Sequence, residues 1–180
     1  MPYKKEFDYT VSFWFRSHRN LLDFERDFGD KKAYLFDLGG PSCYILNAKK
    51  LVCDPDASVE FDLSELPDFQ AWIHLTYSAN HAPGTFTADT SKSYVRIDCS
   101  GFTRSASGSY AAISEPKAYY GIDANLTQGF DGDLREFYVR MGYTEDADEI
   151  ESLRHRAKVV DLSVLGYYKF DQEGFRWLND

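Results

Sequence analysis

The sequence predicts an α+β domain built on a mainly antiparallel sheet of six or more strands, with a short N-terminal helix and two C-terminal helices. Segments rich in aromatic and β-branched residues follow one another through most of the 180-residue chain, separated by short polar connections. Apolar residues at helical spacing occur only after the first strand and beyond residue 131. We therefore expect one domain over residues 1–180, with helices on one face of the sheet and the other face partly open.

The first elements are a strand, a short helix and a second strand. The stretch YTVSFWFR at 9–16 alternates between two faces, as a strand does. Asn20 can cap the following helix and Gly29 can end it. The stretch KAYLFDL at 32–38 then predicts the second strand.

A hairpin is predicted at SCYILNAKKLVCD, with NAKK at 47–50 as a four-residue polar loop. A loop of that length pairs Leu46 with Leu51 and Tyr44 with Cys53. Further strands are predicted at 58–63, 69–78, 93–102 and 108–122. The stretch TRSAS lies between the last two as a loop.

The predicted hairpin register bears on the three cysteines. It places Cys43 opposite Asp54, so Cys43 and Cys53 point to opposite faces and a disulfide between them is disfavoured. With Cys99 they form an odd, sparse set. We expect free thiols and a cytoplasmic location, since no apolar segment follows the lysines near the N-terminus.

Two helices are predicted after residue 131. Leu134, Phe137, Tyr138 and Met141 fall at i, i+3, i+4 and i+7, and Gly142 can end that helix. The second helix covers EDADEIESLRHRAKVV at 145–160.

The stretch DANLTQGFDGDLRE at 123–136 has the acidic residues of a calcium loop but not their order. Counted from Asp123, position 6 is Gln128 and position 12 is Leu134, where an EF-hand needs a glycine and a bidentate glutamate. We expect a turn in which Asp131 or Asp133 caps the next helix, and no metal site.

The charge balance narrows the classes of partner. Twenty basic residues against 29 acidic ones give a net charge of −9. This works against binding nucleic acid through a basic patch, and no apolar run approaches the ~20 residues of a membrane span. The balance is compatible with a basic protein partner.

Catalytic motifs are missing from the sequence. The four histidines (His18, His74, His81 and His155) lie far apart, and no metal-ligand spacing or GxSxG elbow is present. We therefore predict no catalytic residues and no cofactor. The predicted function is an acidic protein-binding module that acts as a stoichiometric inhibitor, of the toxin-immunity or anti-defence type.

The predicted contacts of this inhibitor are exposed carboxylates and loop tyrosines, which can steer toward and anchor on a basic surface. They are Glu145, Asp146, Asp148, Glu149, Glu151, Tyr119 and Tyr120. An assembly subunit such as a virion protein is a further possibility, which would appear as an oligomer.

The alternative is an enzyme such as an acyltransferase. The stretch LREFYVRMGYTE at 134–145 resembles, over about a dozen residues, the late helix-to-strand corner of GNAT-type N-acetyltransferases. The Q/RxxGxG/A loop that holds the acetyl-CoA pyrophosphate in that family has no match upstream. On this alternative His81, Cys99 and Arg104 are the residues to test, and CSGFTRSASGSY at 99–110 is a loop that can cradle an anion.

Overall fold

The computed structural model describes residues 4–29, 31–47, 49–54, 59–82, 90–114, 119–121, 129–155 and 164–168. Within these ranges the strands are β1 Lys4–Lys5, β2 Tyr9–Ser17, β3 Lys32–Asp37, β4 Ser42–Leu46, β5 Lys50–Asp54, β6 Val59–Asp62, β7 Ile73–Asn80, β8 Lys92–Cys99, β9 Phe102–Ser109, β10 Ile113–Ser114, β11 Tyr119–Tyr120, β12 Gly132–Met141 and β13 Val164–Tyr168. The α-helices are α1 Leu21–Phe28 and α2 Ala147–His155, and a 3-10 helix covers Leu63–Glu65.

The strands form two large sheets that pack face to face. One has the order β11-β3-β4-β5-β6, and the other has the order β13-β12-β2-β7-β8-β9. A two-stranded sheet pairs β1 with β10. Aromatic side chains join the large sheets, since the ring of Phe36 on β3 lies 5.8 Å from that of Phe13 on β2 and 6.0 Å from that of Phe137 on β12. The predicted α+β class with antiparallel pairing is confirmed, but the predicted single sheet is two packed sheets.

The helix α1 forms as its local sequence predicts. The Asn20 side chain accepts a hydrogen bond of 2.9 Å from the backbone N–H of Asp23. Gly29 has a φ of 53°, and its N–H bonds the carbonyl of Glu25. Phe24 is buried and packs on Phe69, so α1 closes one end of the sandwich.

The predicted helix over 134–141 is wrong, because this stretch is the strand β12. Glu136 has a φ of 51°, and the pairing with β2 shifts register between Arg135 and Tyr138. One extra residue in a strand is a β-bulge, and it moves the side chains after it to the opposite face. Leu134 and Phe137 therefore share the core face although they are three residues apart, as they would be on a helix.

This strand also corrects two interpretations that depended on a helix. Asp131 and Asp133 cap no helix, and instead they form ion pairs with Arg19 and Arg16 respectively. The stretch with the acetyltransferase resemblance is a strand followed by a turn, so the helix that the resemblance implies is not formed. Residues 123–128 of the acidic stretch 123–136 lie outside the described residues.

The predicted hairpin exists, but its register is wrong by one residue. Leu46 pairs with Lys50, so the loop has the three residues 47–49, and Asn47 takes a left-handed φ of 54°. This register places Cys43 directly opposite Cys53, with their Cα atoms 4.3 Å apart, and the two form a disulfide. Both cysteines are buried in the core, where the predicted free thiols are replaced by a cross-link.

The predicted loop TRSAS is also wrong, since it belongs to the strand β9. Ser100 and Gly101 have φ values of 42° and 81°, which is the geometry of a two-residue hairpin turn between β8 and β9. The stretch 99–110, considered as an anion-cradling loop, therefore runs from the end of β8 through the turn and along the paired strand β9.

Only one of the two helices expected beyond residue 131 is present among the described residues. The helix α2 begins at Ala147 and ends at His155, and residues 156–160 of the prediction lie outside the described residues. It contacts β2 and buries Ile150 and Leu153. No helix within the described ranges is long and apolar enough to cross a membrane.

Candidate functional site

The acidic segment, defined here as residues 145–151, is fastened to the centre of the six-stranded sheet. The Thr144 N–H donates to Ser78 Oγ at 2.7 Å, and Ser78 lies 2.8 Å from Thr10 Oγ1. The Thr10 hydroxyl in turn donates to the Gly142 carbonyl at 2.7 Å. This hydroxyl chain holds the backbone on both sides of Tyr143 against β2 and β7, two central strands.

The first turn of α2 is capped from within the acidic segment. The Asp146 side chain accepts a hydrogen bond of 2.9 Å from the Glu149 N–H, and the Asp146 N–H donates to Thr144 Oγ1 at 3.2 Å. Carboxylates at this end of a helix are also favoured by its dipole. The segment is therefore held at its start by the sheet and along its length by a docked helix.

Three of the five carboxylates form internal ion pairs. Glu145 lies 2.9 Å from Lys92 Nζ and also accepts a hydrogen bond from the Tyr143 hydroxyl. Glu149 pairs with Arg140, and Glu151 pairs with Arg154 at 3.2 Å and His155 at 2.7 Å. Asp148 is exposed and makes no ion pair with any other residue that the structure describes.

Hydrogen bonds keep two of these carboxylates ionised. The Tyr143 hydroxyl, followed by Lys92, lowers the pKa of Glu145. The hydrogen bond from His155 lowers the pKa of Glu151, assisted by Arg154. The five carboxylates face three permanent cations (Lys92, Arg140 and Arg154), so the segment and its partners keep a net negative charge.

The two predicted tyrosine anchors lie elsewhere. Tyr119 and Tyr120 form β11 at the edge of the five-stranded sheet and are half-buried. The ring of Tyr120 lies 4.3 Å from that of Phe137, which faces the core between the sheets. Since α2 lies on the other face of the six-stranded sheet, the tyrosines and the acidic segment do not form one surface.

The three residues of the enzyme alternative do not meet either. His81 follows β7 at the end where Asn80 pairs with Lys92, whereas Cys99 is at the opposite end of β8. Burial raises the pKa of the Cys99 thiol, which is the reverse of what a nucleophile requires. Arg104 is exposed on β9 and pairs with Glu65 at 3.3 Å.

A buried polar cluster under α2 was not predicted from the sequence. Ser12 Oγ lies 2.9 Å from His74 Nε2, and both residues are buried. Beside them Asp98 is held by two hydrogen bonds from Arg96 Nε and Nη2 and by the Thr103 hydroxyl at 2.7 Å. Burial lowers the pKa of His74 to about 4, so its ring is neutral near pH 7. His74 Nδ1 has no partner among the described residues, so this cluster lacks the relay of a catalytic triad.

A ladder of arginine and tryptophan side chains lies beside that cluster and was also missed. Arg135 lies over the rings of Trp72 and Trp14, at 4.1 and 5.3 Å from their centroids. Arg16 covers Trp72 at 4.8 Å, and Arg154 covers Trp14 at 5.6 Å. The ladder joins α2 to β2, β12 and the residue before β7 by cation–π contacts. A local sequence pattern does not indicate it, because its members are far apart in the chain.

His18 lies between two carboxylates at the end of β2. Its Nδ1 is 3.4 Å from Asp131 and its Nε2 is 3.0 Å from Asp133. Because two arginines share these aspartates, the group is an ion-pair network. Within the described residues no group of histidine, cysteine and acidic side chains can hold a metal ion.

No protein-family model matches the chain. A search of the curated proteins likewise finds no match.

Proposed function

We propose that the chain is a non-catalytic protein-binding module in which the acidic segment contacts a basic surface on a partner protein. It occupies that surface and so inhibits the partner stoichiometrically, as immunity and anti-defence proteins do. The proposal rests on how the acidic segment is held in place. The hydroxyl chain fixes the backbone before it and the buried face of α2 fixes its helical part, so the segment is ordered before any partner binds.

Pre-organisation is useful to an inhibitor because fewer side chains and loops lose freedom on binding. The hydroxyl chain from Thr144 to Gly142 fixes the approach to α2. The buried Ile150 and Leu153 fix the helix itself. A partner therefore meets carboxylates whose backbone is already ordered.

Charge supports the same proposal. Asp146 and Asp148 are exposed, and Glu145 retains half of its side-chain exposure while paired with Lys92. Carboxylates at the rim of an interface chiefly raise the association rate with a basic partner, and salt weakens this effect. The overall charge of −9 adds to the same long-range attraction.

The test begins with the purified chain as bait in a lysate of its own cells, followed by purification of the captured protein. Association is then measured by stopped flow at several salt concentrations. We expect Asp148→Lys to slow association by about tenfold at low salt and to flatten the salt dependence, because it reverses a steering charge.

Glu25→Lys is the control, since it makes the same change of charge at an exposed position on α1. It also breaks the ion pair of Glu25 with Lys49, so a thermal melt checks that this variant folds. Equal slowing of association by the two variants would show that the net charge of the chain matters and the position of the acidic segment does not. Indifference to Asp148→Lys, together with a rise in melting temperature on adding acetyl-CoA, would reject the proposal in favour of the enzyme alternative.

A further inference from the structure

The strand β9 forms an open edge of the six-stranded sheet. Among the strands that the structure describes, only β8 pairs with it. It runs for eight residues, Phe102–Ser109, and carries no proline that would blunt pairing with another strand. Arg104 is its single charged residue.

The hairpin turn determines which backbone groups face outward. Cys99 and Phe102 flank a two-residue turn, so they form a hydrogen-bonded pair, and such pairs alternate along an antiparallel ladder. Thr103, Ser105, Ser107 and Ser109 therefore direct their N–H and C=O groups away from β8. The Thr103 carbonyl agrees with this assignment, since it accepts a hydrogen bond of 3.2 Å from Arg104 Nη1.

The side chains at the middle of the edge leave it accessible. Ser105 and Ser107 are small and exposed, and Ala106 between them is half-buried against the core. Arg104 is drawn to Glu65 on the neighbouring 3-10 helix. No bulky side chain between 105 and 108 obstructs a second strand.

We propose that β9 pairs with β9 of a second copy of this chain, antiparallel and about a two-fold axis at Ala106. Ser105 of each copy then exchanges two backbone hydrogen bonds with Ser107 of the other, which satisfies all four outward groups of these residues. The two six-stranded sheets become one continuous sheet across the dimer.

The edge is complementary to itself, and this favours a second copy over a foreign strand. The outward-facing serines are placed symmetrically about Ala106, as an isologous interface requires. In this register Arg104 lies opposite Gly108 of the other copy. The two arginines are therefore not placed against each other, and the glycine leaves room for the arginine side chain. The interface is small, so the dimer forms only as concentration rises.

Sedimentation equilibrium from about 10 µM to about 1 mM tests the pairing, a range suited to a small interface. We expect the mass to rise from 20.7 kDa toward twice that value. Ser107→Pro removes an N–H that faces the open edge while leaving the bonds to β8, and we expect it to weaken association at least tenfold. Ser107→Thr keeps that N–H and should dimerise as the parent does.

Hydrogen exchange identifies the surface that is used. The amides of Ser105 and Ser107 should exchange more slowly as concentration rises, while a circular dichroism melt checks that Ser107→Pro still folds. A chain that stays monomeric over the whole range, or a dimer that Ser107→Pro does not weaken, overturns the proposal. Protection of both amides at every concentration overturns it as well, because the edge is then covered by something other than a second copy.

This dimer is independent of the proposed inhibitor function. Asp148→Lys should leave dimerisation unchanged, and Ser107→Pro should leave the association with a basic partner unchanged. Failure of one proposal is therefore distinguishable from failure of the other.

Discussion

Ser12 and His74 are joined by a buried hydrogen bond, with 2.9 Å between Oγ and Nε2, on the sheet face that α2 covers. Burial lowers the pKa of His74 and keeps its ring uncharged near pH 7, so one ring nitrogen carries a proton and the tautomer sets which group donates in this bond. The charged groups around the ring are Asp98 and Arg96 on β8 and Glu151 and Arg154 on α2.

Acid should destabilise the fold through His74. The pKa of its side chain is about 4 in the folded chain, against 6.5 for an ordinary histidine. Between these values the unfolded chain binds a proton that the folded chain does not, so the free energy of unfolding falls as pH falls from 6.5 to about 4. A shift of this size corresponds to roughly 3 kcal/mol.

Urea unfolding at a series of pH values measures this dependence. His74→Gln keeps a hydrogen-bonding side chain that does not titrate, and its stability should change less with pH across the same window. An equal slope for the parent and the variant would assign the acid sensitivity to other groups.

Thiol counting checks the cross-link. In denaturant without reductant we expect one of the three cysteines to react, because Cys43 and Cys53 are joined and Cys99 is free. Cys99 should react slowly in the folded chain, since burial raises its pKa. Three reactive thiols before reduction would contradict the disulfide.

Loss of the disulfide should lower stability. The two cysteines are 10 residues apart, and closing a loop of that length contributes about 2–3 kcal/mol in the chain-entropy account. Urea unfolding of the oxidised and the reduced parent measures the loss. Cys43→Ala combined with Cys53→Ala, which also removes two buried side chains, should lose at least as much. Equal unfolding midpoints of oxidised and reduced parent would show that the cross-link does not stabilise the fold.

The bulge in β12 makes Glu136 a test of backbone conformation. Its φ of 51° is easily adopted by glycine and resisted by β-branched residues. Glu136→Gly should unfold at the same temperature or higher, whereas Glu136→Val should be destabilised by about 1–2 kcal/mol. The reverse order would contradict the bulge.

The arginine–tryptophan ladder should appear as an energetic coupling. Arg135 lies 4.1 Å from the centroid of Trp72, at a half-buried position. A double-mutant cycle with Arg135→Ala and Trp72→Leu should give a coupling of about 0.5–1 kcal/mol in unfolding free energy. A cycle with Arg135→Ala and Tyr94→Leu serves as the control and should give additive changes.

Features with a local cause were predictable from the sequence. Asn20 caps the start of α1 and Gly29 its end, each through hydrogen bonds to residues a few positions away. The alternation of side chains between the two faces of β2 is likewise visible in the local sequence. The class of fold follows from such local signals, because the strands are separated by recognisable turns.

Features that depend on one residue of register were not predictable. The extra residue at Glu136 places Leu134 and Phe137 on one face at helical spacing, so a strand has the pattern of a helix. The left-handed Asn47 shortens a loop by one residue and brings Cys43 opposite Cys53. In both cases the register is set by which side chains face the core, and that is defined only once the two sheets have packed together.

Which residues form the candidate site was predictable from the sequence, but their contacts were not. The carboxylates of the acidic segment are evident in the sequence, but their pairing with Lys92 and Arg140 depends on strands from other parts of the chain. The placement of Tyr120 on the far side of the sheet has the same origin.

The hydroxyl chain through Ser78 and Thr10 has a consequence for how the molecule opens. Since the turn before α2 is tied to two central strands, its detachment breaks buried hydrogen bonds and leaves the hydroxyl groups of those strands without these partners. A protease site introduced between Gly142 and Asp146 should therefore be cut slowly, at a rate governed by unfolding. A surface loop without such bonds would be cut in the folded chain.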